Sequence, residues 1–368
     1  MRKYFVTALP VVMGAVLAIL PIASTAMADG SCETNVAGQP ITAACQNQFA
    51  VMCNAPALDG VCNNSLPATA TYGANLSVSG PNASVGGVYC GLNFGLGNTS
   101  ITGDVLASGF DSTVSVVNIN GLPAHSVSGT CVDGDDNRPG TITRAGACAG
   151  GEDTNGASNP LLAFASGTPP FLTAGPLFNA TVDEENFDTA LLKCPVNGVN
   201  AAIANLGAIS VASNHTATLN ALVPPLGSNL SIIIVPSVSL ASNSKLILSG
   251  TADDQLVLET PGQVLMAANS KIVLAGGLTA NHVLITTTTD PSQVAAANTG
   301  VHVGANSVLE GTIHGEGGCV IGASVTVSGS LTCDFGTNIG ANLKLYHIQN
   351  DIALPFCTGV TPCGTPLF

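Results

Sequence analysis

Val301-His302-Val303-Gly304-Ala305-Asn306-Ser307-Val308-Leu309-Glu310-Gly311-Thr312-Ile313-His314-Gly315-Glu316-Gly317-Gly318 is followed by two stretches that align with it at a spacing of 18, Cys319 to Gly336 and Thr337 to Leu354. The same turn recurs in each, as Val303-Gly304-Ala305-Asn306, Ile321-Gly322-Ala323-Ser324 and Ile339-Gly340-Ala341-Asn342. Inside this register an apolar or small residue returns every six positions, at Val303, Leu309, Gly315, Ile321, Val327, Cys333, Ile339 and Leu345. Three short strands and three tight turns per 18 residues, with one inward side chain at each sixth position, describe one coil of a three-sided β-solenoid. A sandwich carries turn signals too, but no fixed register.

The winding continues upstream with longer corners. Ala241-Ser242-Asn243-Ser244-Lys245 and Ala267-Ala268-Asn269-Ser270-Lys271 lie 26 apart and lead into Leu246-Ile247-Leu248 and Ile272-Val273-Leu274. Extra corner residues cost a coil little. Runs of period two at 256–258, 264–266 and 283–285 extend the solenoid over 228–348. Gly-punctuated alternation from Ala74 to Ser128 adds further strands, so one β-helix domain is expected over 72–348. Two interruptions are expected within it: a polar, Gly- and Pro-rich loop insertion at about 129–176, and a helix at about 183–206. Asp183, Glu184 and Glu185 open that helix, and Pro195 and Gly198 break it into two short pieces.

Only 8% of the residues are charged, against about 25% in ordinary soluble proteins, and the net charge is −14. Such a surface repels nucleic acid and anionic membranes. Residues 1–28 read as a signal peptide, with Arg2 and Lys3 before an apolar run and Ala26-Met27-Ala28 as the cleavage pattern. No later apolar stretch reaches the length of a membrane-spanning helix, so the expected product is a secreted, extracellular or cell-surface protein. All 12 Cys follow the leader, and export makes disulfides their default state. Four of them mark 29–71 as a Cys-rich N-terminal segment, Cys357 and Cys363 tie a tail at 349–368, and Cys131 and Cys148 are close enough in sequence to staple a loop. A zinc site is disfavoured because no C-x-x-C occurs.

The stretches Leu248-Ser249-Gly250-Thr251-Ala252-Asp253-Asp254, Asn269 to Asn281, and Ser307-Val308-Leu309-Glu310-Gly311-Thr312-Ile313 carry a resemblance. The run from Ser239 to Cys333 that contains them resembles the bacterial and fungal ice-binding-protein domain known as DUF3494. That resemblance implies a right-handed, discontinuous β-helix with one accompanying α-helix, no catalysis and no cofactor, and a surface that adsorbs to ice.

Ice recognition needs a flat, rigid, weakly charged face whose hydroxyls and methyls order water in a lattice-like layer. With Val283 and Ile285 inward, Thr286 and Thr288 point outward; with Val327 inward, Thr326 and Ser328 do. Together with Thr312 and Ser330 these are the expected ice-contact residues, and ice or ordered water is the expected partner. Adhesion to a cell-surface or matrix partner through the same solenoid is the competing reading. His302 and His314 are read as solvated strand-face residues rather than general bases. Asp133, Asp135 and Asn137 have the alternating oxygens of a calcium loop, but Arg138 and Arg144 stand where an EF-hand has Gly and Glu.

Overall fold

The structure is a computed structural model that describes residues 41–42, 49–53, a series of strands and turns between 69 and 188, and then 190–288, 300–333 and 337–355. The expected signal peptide, Asp135, Asn137, Cys357 and Cys363 lie outside the described residues.

Three parallel sheets of eleven, ten and eight described strands form the walls of a three-sided solenoid. The 18-residue repeat is the pairing register: Val301, Cys319 and Thr337 are direct neighbours in one sheet, as are Val308, Thr326 and Lys344 in another. Every sixth-position residue from Val303 to Leu345 is buried. Each coil aligns its inward residue with those above and below. The column Val211, Leu240, Met266, Val303, Ile321, Ile339 and Tyr72 therefore runs along one wall.

The chain does not climb this solenoid from end to end. It enters in the middle with Phe49–Cys53, Thr69–Tyr72 and Ser77–Ser79, and winds outward to Glu152–Asp153. It restarts at the opposite end with Ala202–Asn205, Ile209–Val211 and Thr216–Asn220. It then winds back until Leu331–Cys333, Thr337–Ile339 and Lys344–Tyr346 pair with the entry strands. The fold is thus a discontinuous β-solenoid, closed at its midpoint by the two halves of the chain.

Three boundary expectations are corrected. The N-terminal segment is not separate from the solenoid before residue 72, because Phe49–Cys53 and Thr69–Tyr72 are strands of two of its sheets. The expected insertion at 129–176 contributes Cys131–Gly134, Thr141–Ile142 and Glu152–Asp153 to the walls; Ala163–Phe164 and Leu172–Ala174 pair separately as antiparallel strands. The polar, Gly-rich composition that suggested a loop is that of outward positions and tight corners. Helix is found at 187–188 and 190–193, whereas Ala202–Asn205 is a strand. The Ala-rich run there had no apolar period of its own, and pairing with Leu230–Ile234 decides its conformation.

Cys131 and Cys148 are joined, as their spacing suggested, and Cys319 and Cys333 form a second bridge inside the solenoid. Cys53 and Cys194 each take part in a further disulfide.

Candidate functional site

A binding site on a solenoid is a wall, and the three walls differ in what covers them. On the eleven-stranded sheet the outward side chains Leu230, Ile232, Val257 and Leu284 are buried against Phe187, Ala190 and Leu191 of the helix and against Ile352 and Leu354. Burying each such side chain contributes about 1.5–3 kcal/mol, which holds the helix on this wall. The C-terminal segment is strapped down as well: Gln255 Nε2 donates to the Asp351 carbonyl at 3.1 Å, and Asn281 Nδ2 donates to Asp351 Oδ2 at 2.6 Å.

Along the same wall Glu259, Thr286, His314 and Thr332 are register neighbours. His314 is 2% exposed, with Nδ1 3.4 Å from Asp188 Oδ1 on the helix, so it is not the solvated residue expected. Glu259 accepts from Thr288 Oγ1 at 3.5 Å, and burial, with a smaller push from Asp188, holds its carboxyl above the usual carboxylate range. This wall is a joint between helix and sheet.

That placement corrects the expected ice-contact set. Thr286, Thr312 and Ser330 are 1%, 2% and 5% exposed. Alternation placed Thr286 outward correctly, since Val283 and Ile285 do face the core, but outward on this wall means under the helix. Thr288 is half-buried beside Glu259. Thr326 is exposed and Ser328 half-buried, and both lie on the eight-stranded sheet. The six residues therefore do not share one face. Asp133 is in a wall strand, and among the described residues no group of three or more His, Cys, Asp or Glu side chains is placed to hold a metal ion.

The eight-stranded wall is open but charged and uneven. Its outward row runs Thr216, Lys245, Lys271, Val308, Thr326, Lys344 and Ser77 in register. Beside Thr326 and Ser328 stand Glu310 and the half-exposed Tyr346.

The ten-stranded wall is different. Its strands are at most four residues long, and Val238–Leu240, Cys319–Ile321 and Thr337–Ile339 each read inward, outward, inward, with one side chain turned to solvent. In register these are Ser210, Ser239, Leu265, His302, Val320, Asn338 and Thr71, with no Asp, Glu, Lys or Arg among them. Leu265 and Val320 are 40% and 44% exposed. Successive members lie about 4.8 Å apart, the spacing of paired strands.

Beside His302, Val320, Asn338 and Thr71 runs a strip that admits no side chains, where the other three coils carry Ala212, Ala241 and Ala267. A Cβ on Gly304, Gly322, Gly340 or Gly73 would lie 2.5, 2.6, 2.7 or 2.5 Å from the backbone nitrogen of the neighbouring coil. Glycine at these positions lets the coils stack closely and leaves the strip bare. The corner is then closed by Asn214, Asn243, Asn269, Asn306, Ser324, Asn342 and Asn75, all with φ between 58° and 62°. Asparagine tolerates this left-handed conformation better than most residues with a side chain, so one corner geometry repeats through seven coils. The result is a straight, uncharged, shallow face. Its signal was present in the triplets Val301-His302-Val303, Cys319-Val320-Ile321 and Thr337-Asn338-Ile339, where the middle residue must face out.

No family model matches the chain, and no curated protein does. Among solved structures it is similar to the DUF3494 domain of Shewanella frigidimarina ice-binding protein 1, at 13% identity and a TM-score of 0.44, over 84% of this chain and 99% of that one. An ice-binding protein from the Antarctic ascomycete Antarctomyces psychrotrophicus is similar at 13% identity and a TM-score of 0.41, over 85% and 100% of the two chains. So is an ice-binding protein from an Arctic yeast, at 11% identity and a TM-score of 0.40, over 84% and 94%.

Proposed function

We propose that this protein is an exported, non-enzymatic ice-binding protein whose contact surface is the ten-stranded wall. The observation that supports this most is the seven-residue outward row, open to solvent and free of formal charge, in a molecule whose net charge is −14. A charged group holds its own hydration shell, whereas a row of hydroxyl, amide and short apolar groups on a rigid 4.8 Å-type lattice orders water without competing for it. The Lys row interrupts the eight-stranded wall, and the helix covers the eleven-stranded one. No helix among the described residues is long and apolar enough to cross a membrane. The disulfides fit an oxidising compartment.

Single ice crystals grown in the purified protein should become faceted. Val320→Arg, in the middle of the proposed face, should lower the thermal hysteresis several-fold, while Thr326→Tyr on the Lys-bearing wall should leave it near wild type. Unshaped discs with the wild-type protein would remove the ice reading; loss with Thr326→Tyr and none with Val320→Arg would move it to the other wall.

A further inference from the structure

We propose that the end of the solenoid formed by Ala202–Asn205, Ile209–Val211 and Thr216–Asn220 docks a second copy of this chain, end against end about a two-fold axis. These three strands are terminal in all three sheets, so one side of each has no strand neighbour among the described residues. An open edge presents unpaired N–H and C=O groups to any other edge, and proteins usually blunt such edges with charged side chains. Here the charges are missing, although the connection before the first strand caps part of its edge: Ile203 N–H donates to Asn197 Oδ1 at 3.0 Å and Gly198 N–H to the Ala201 carbonyl at 2.9 Å. Residues 195–244, which contain the whole end coil, include no Asp, Glu, Lys or Arg.

The same end gathers apolar surface. Val196, Val199, Leu206, Val223 and Leu226 are 50%, 68%, 45%, 94% and 104% exposed, five of the nine large exposed hydrophobic residues among the described residues. They lie in the end coil and in the connections that enter and leave it. The two connections touch, since Ser228 Oγ donates to the Asn200 carbonyl at 2.6 Å. Beneath it the core is partly open, with Ile209, Ala217, Leu219 and Leu222 only partly buried. Clustered exposed apolar residues of this kind mark an interaction surface.

Charge selects the occupant. Two molecules that each carry −14 repel wherever acidic surfaces face each other, and this end is where a copy approaches with least repulsion. The opposite end is less suited to the same contact: one of its three terminal strands is Glu152–Asp153, with Glu152 exposed, and covering it would strip water from carboxylates. The uncharged end therefore meets its own equivalent rather than the other end of a neighbour. An isologous contact of this kind closes at two copies and does not grow into a filament. The proposal does not depend on ice binding, because the end coil's edge and apolar patch meet the ten-stranded wall's outward row only at its terminal member, Ser210.

Sedimentation equilibrium on the purified protein tests it. A dimer with a Kd in the micromolar range or tighter is expected. The double variant Val223→Asp/Leu226→Asp should be monomeric at the same concentration with an unchanged far-UV circular-dichroism spectrum, because both side chains are solvated in the monomer. Thr218→Lys, on the open edge strand, should weaken the dimer at least tenfold. A monomer up to roughly 100 μM, a dimer unaffected by either variant, or open-ended growth with concentration would overturn the proposal.

Discussion

At the residue scale, the solenoid rests on columns of one side chain per coil. Ile321 is 2% exposed and sits between Val303 and Ile339, so a charge placed there has no water and no partner. Ile321→Asp should cost more than about 4 kcal/mol, read as a loss of the folded baseline in urea titration; near-wild-type melting would contradict the register. The corner asparagines make a second prediction. Ser324 alone departs from asparagine in the seven-coil ladder, at φ 59°. Ser324→Asn should stabilise by up to about 1 kcal/mol, measured as a higher urea midpoint with an unchanged slope. Just inside the same corner, Ser244 and Ser270 are buried and donate to the Ala241 and Ala267 carbonyls at 2.6 and 2.7 Å. A polar residue is tolerated there because the corner backbone supplies its acceptor.

At the element scale, the helix is the part whose placement changes what the surface can do. It covers the eleven-stranded wall through Phe187, Ala190 and Leu191, and carries Asp188 to His314 and towards Glu259. Because burial raises the Glu259 carboxyl above its ordinary value, the folded state holds that proton more tightly than the unfolded chain does. The corresponding stability is present below the ordinary glutamate range and is lost as pH rises through the raised value. Urea unfolding across this window should show that loss in the wild type and a reduced loss in Glu259→Gln, which remains uncharged. Equal slopes in the two proteins would mean that Glu259 is as well solvated in the fold as outside it.

At the scale of the whole molecule, the decisive contact is the joint where the last coil meets the first. Leu331 pairs with Val51, Ile339 with Tyr72 and Leu345 with Val78, so residues far apart in sequence share one core. Tyr72 is fully buried at this joint, and burial pushes its hydroxyl well above the ordinary phenol range. Calorimetry of the wild type should give one cooperative transition. Tyr72→Ala, which empties the joint at a cost of about 3–5 kcal/mol, should separate the melting of the coils before residue 153 from that of the coils after residue 202. A single transition of unchanged midpoint would show that the halves are not coupled through this contact.

What the sequence determined by itself was whatever repeats along it. The six-residue apolar period, the Gly-Ala-Asn corner and the 18-residue spacing each express a local requirement: one inward side chain, one close backbone approach, one left-handed residue. A reader of the chain meets these requirements coil by coil, and the structure returns them as pairing register. The Cys131–Cys148 bridge was legible for a similar reason, since its partners are close in sequence. Tertiary structure alone decided which outward side chains meet solvent. Thr286 and Val320 are both outward by alternation, yet one is 1% and the other 44% exposed, because a helix far upstream returns to pack on the first wall and leaves the second open. Alternation reports only the direction of a side chain from its own strand; what lies beyond it depends on packing between distant segments, and no local period encodes that.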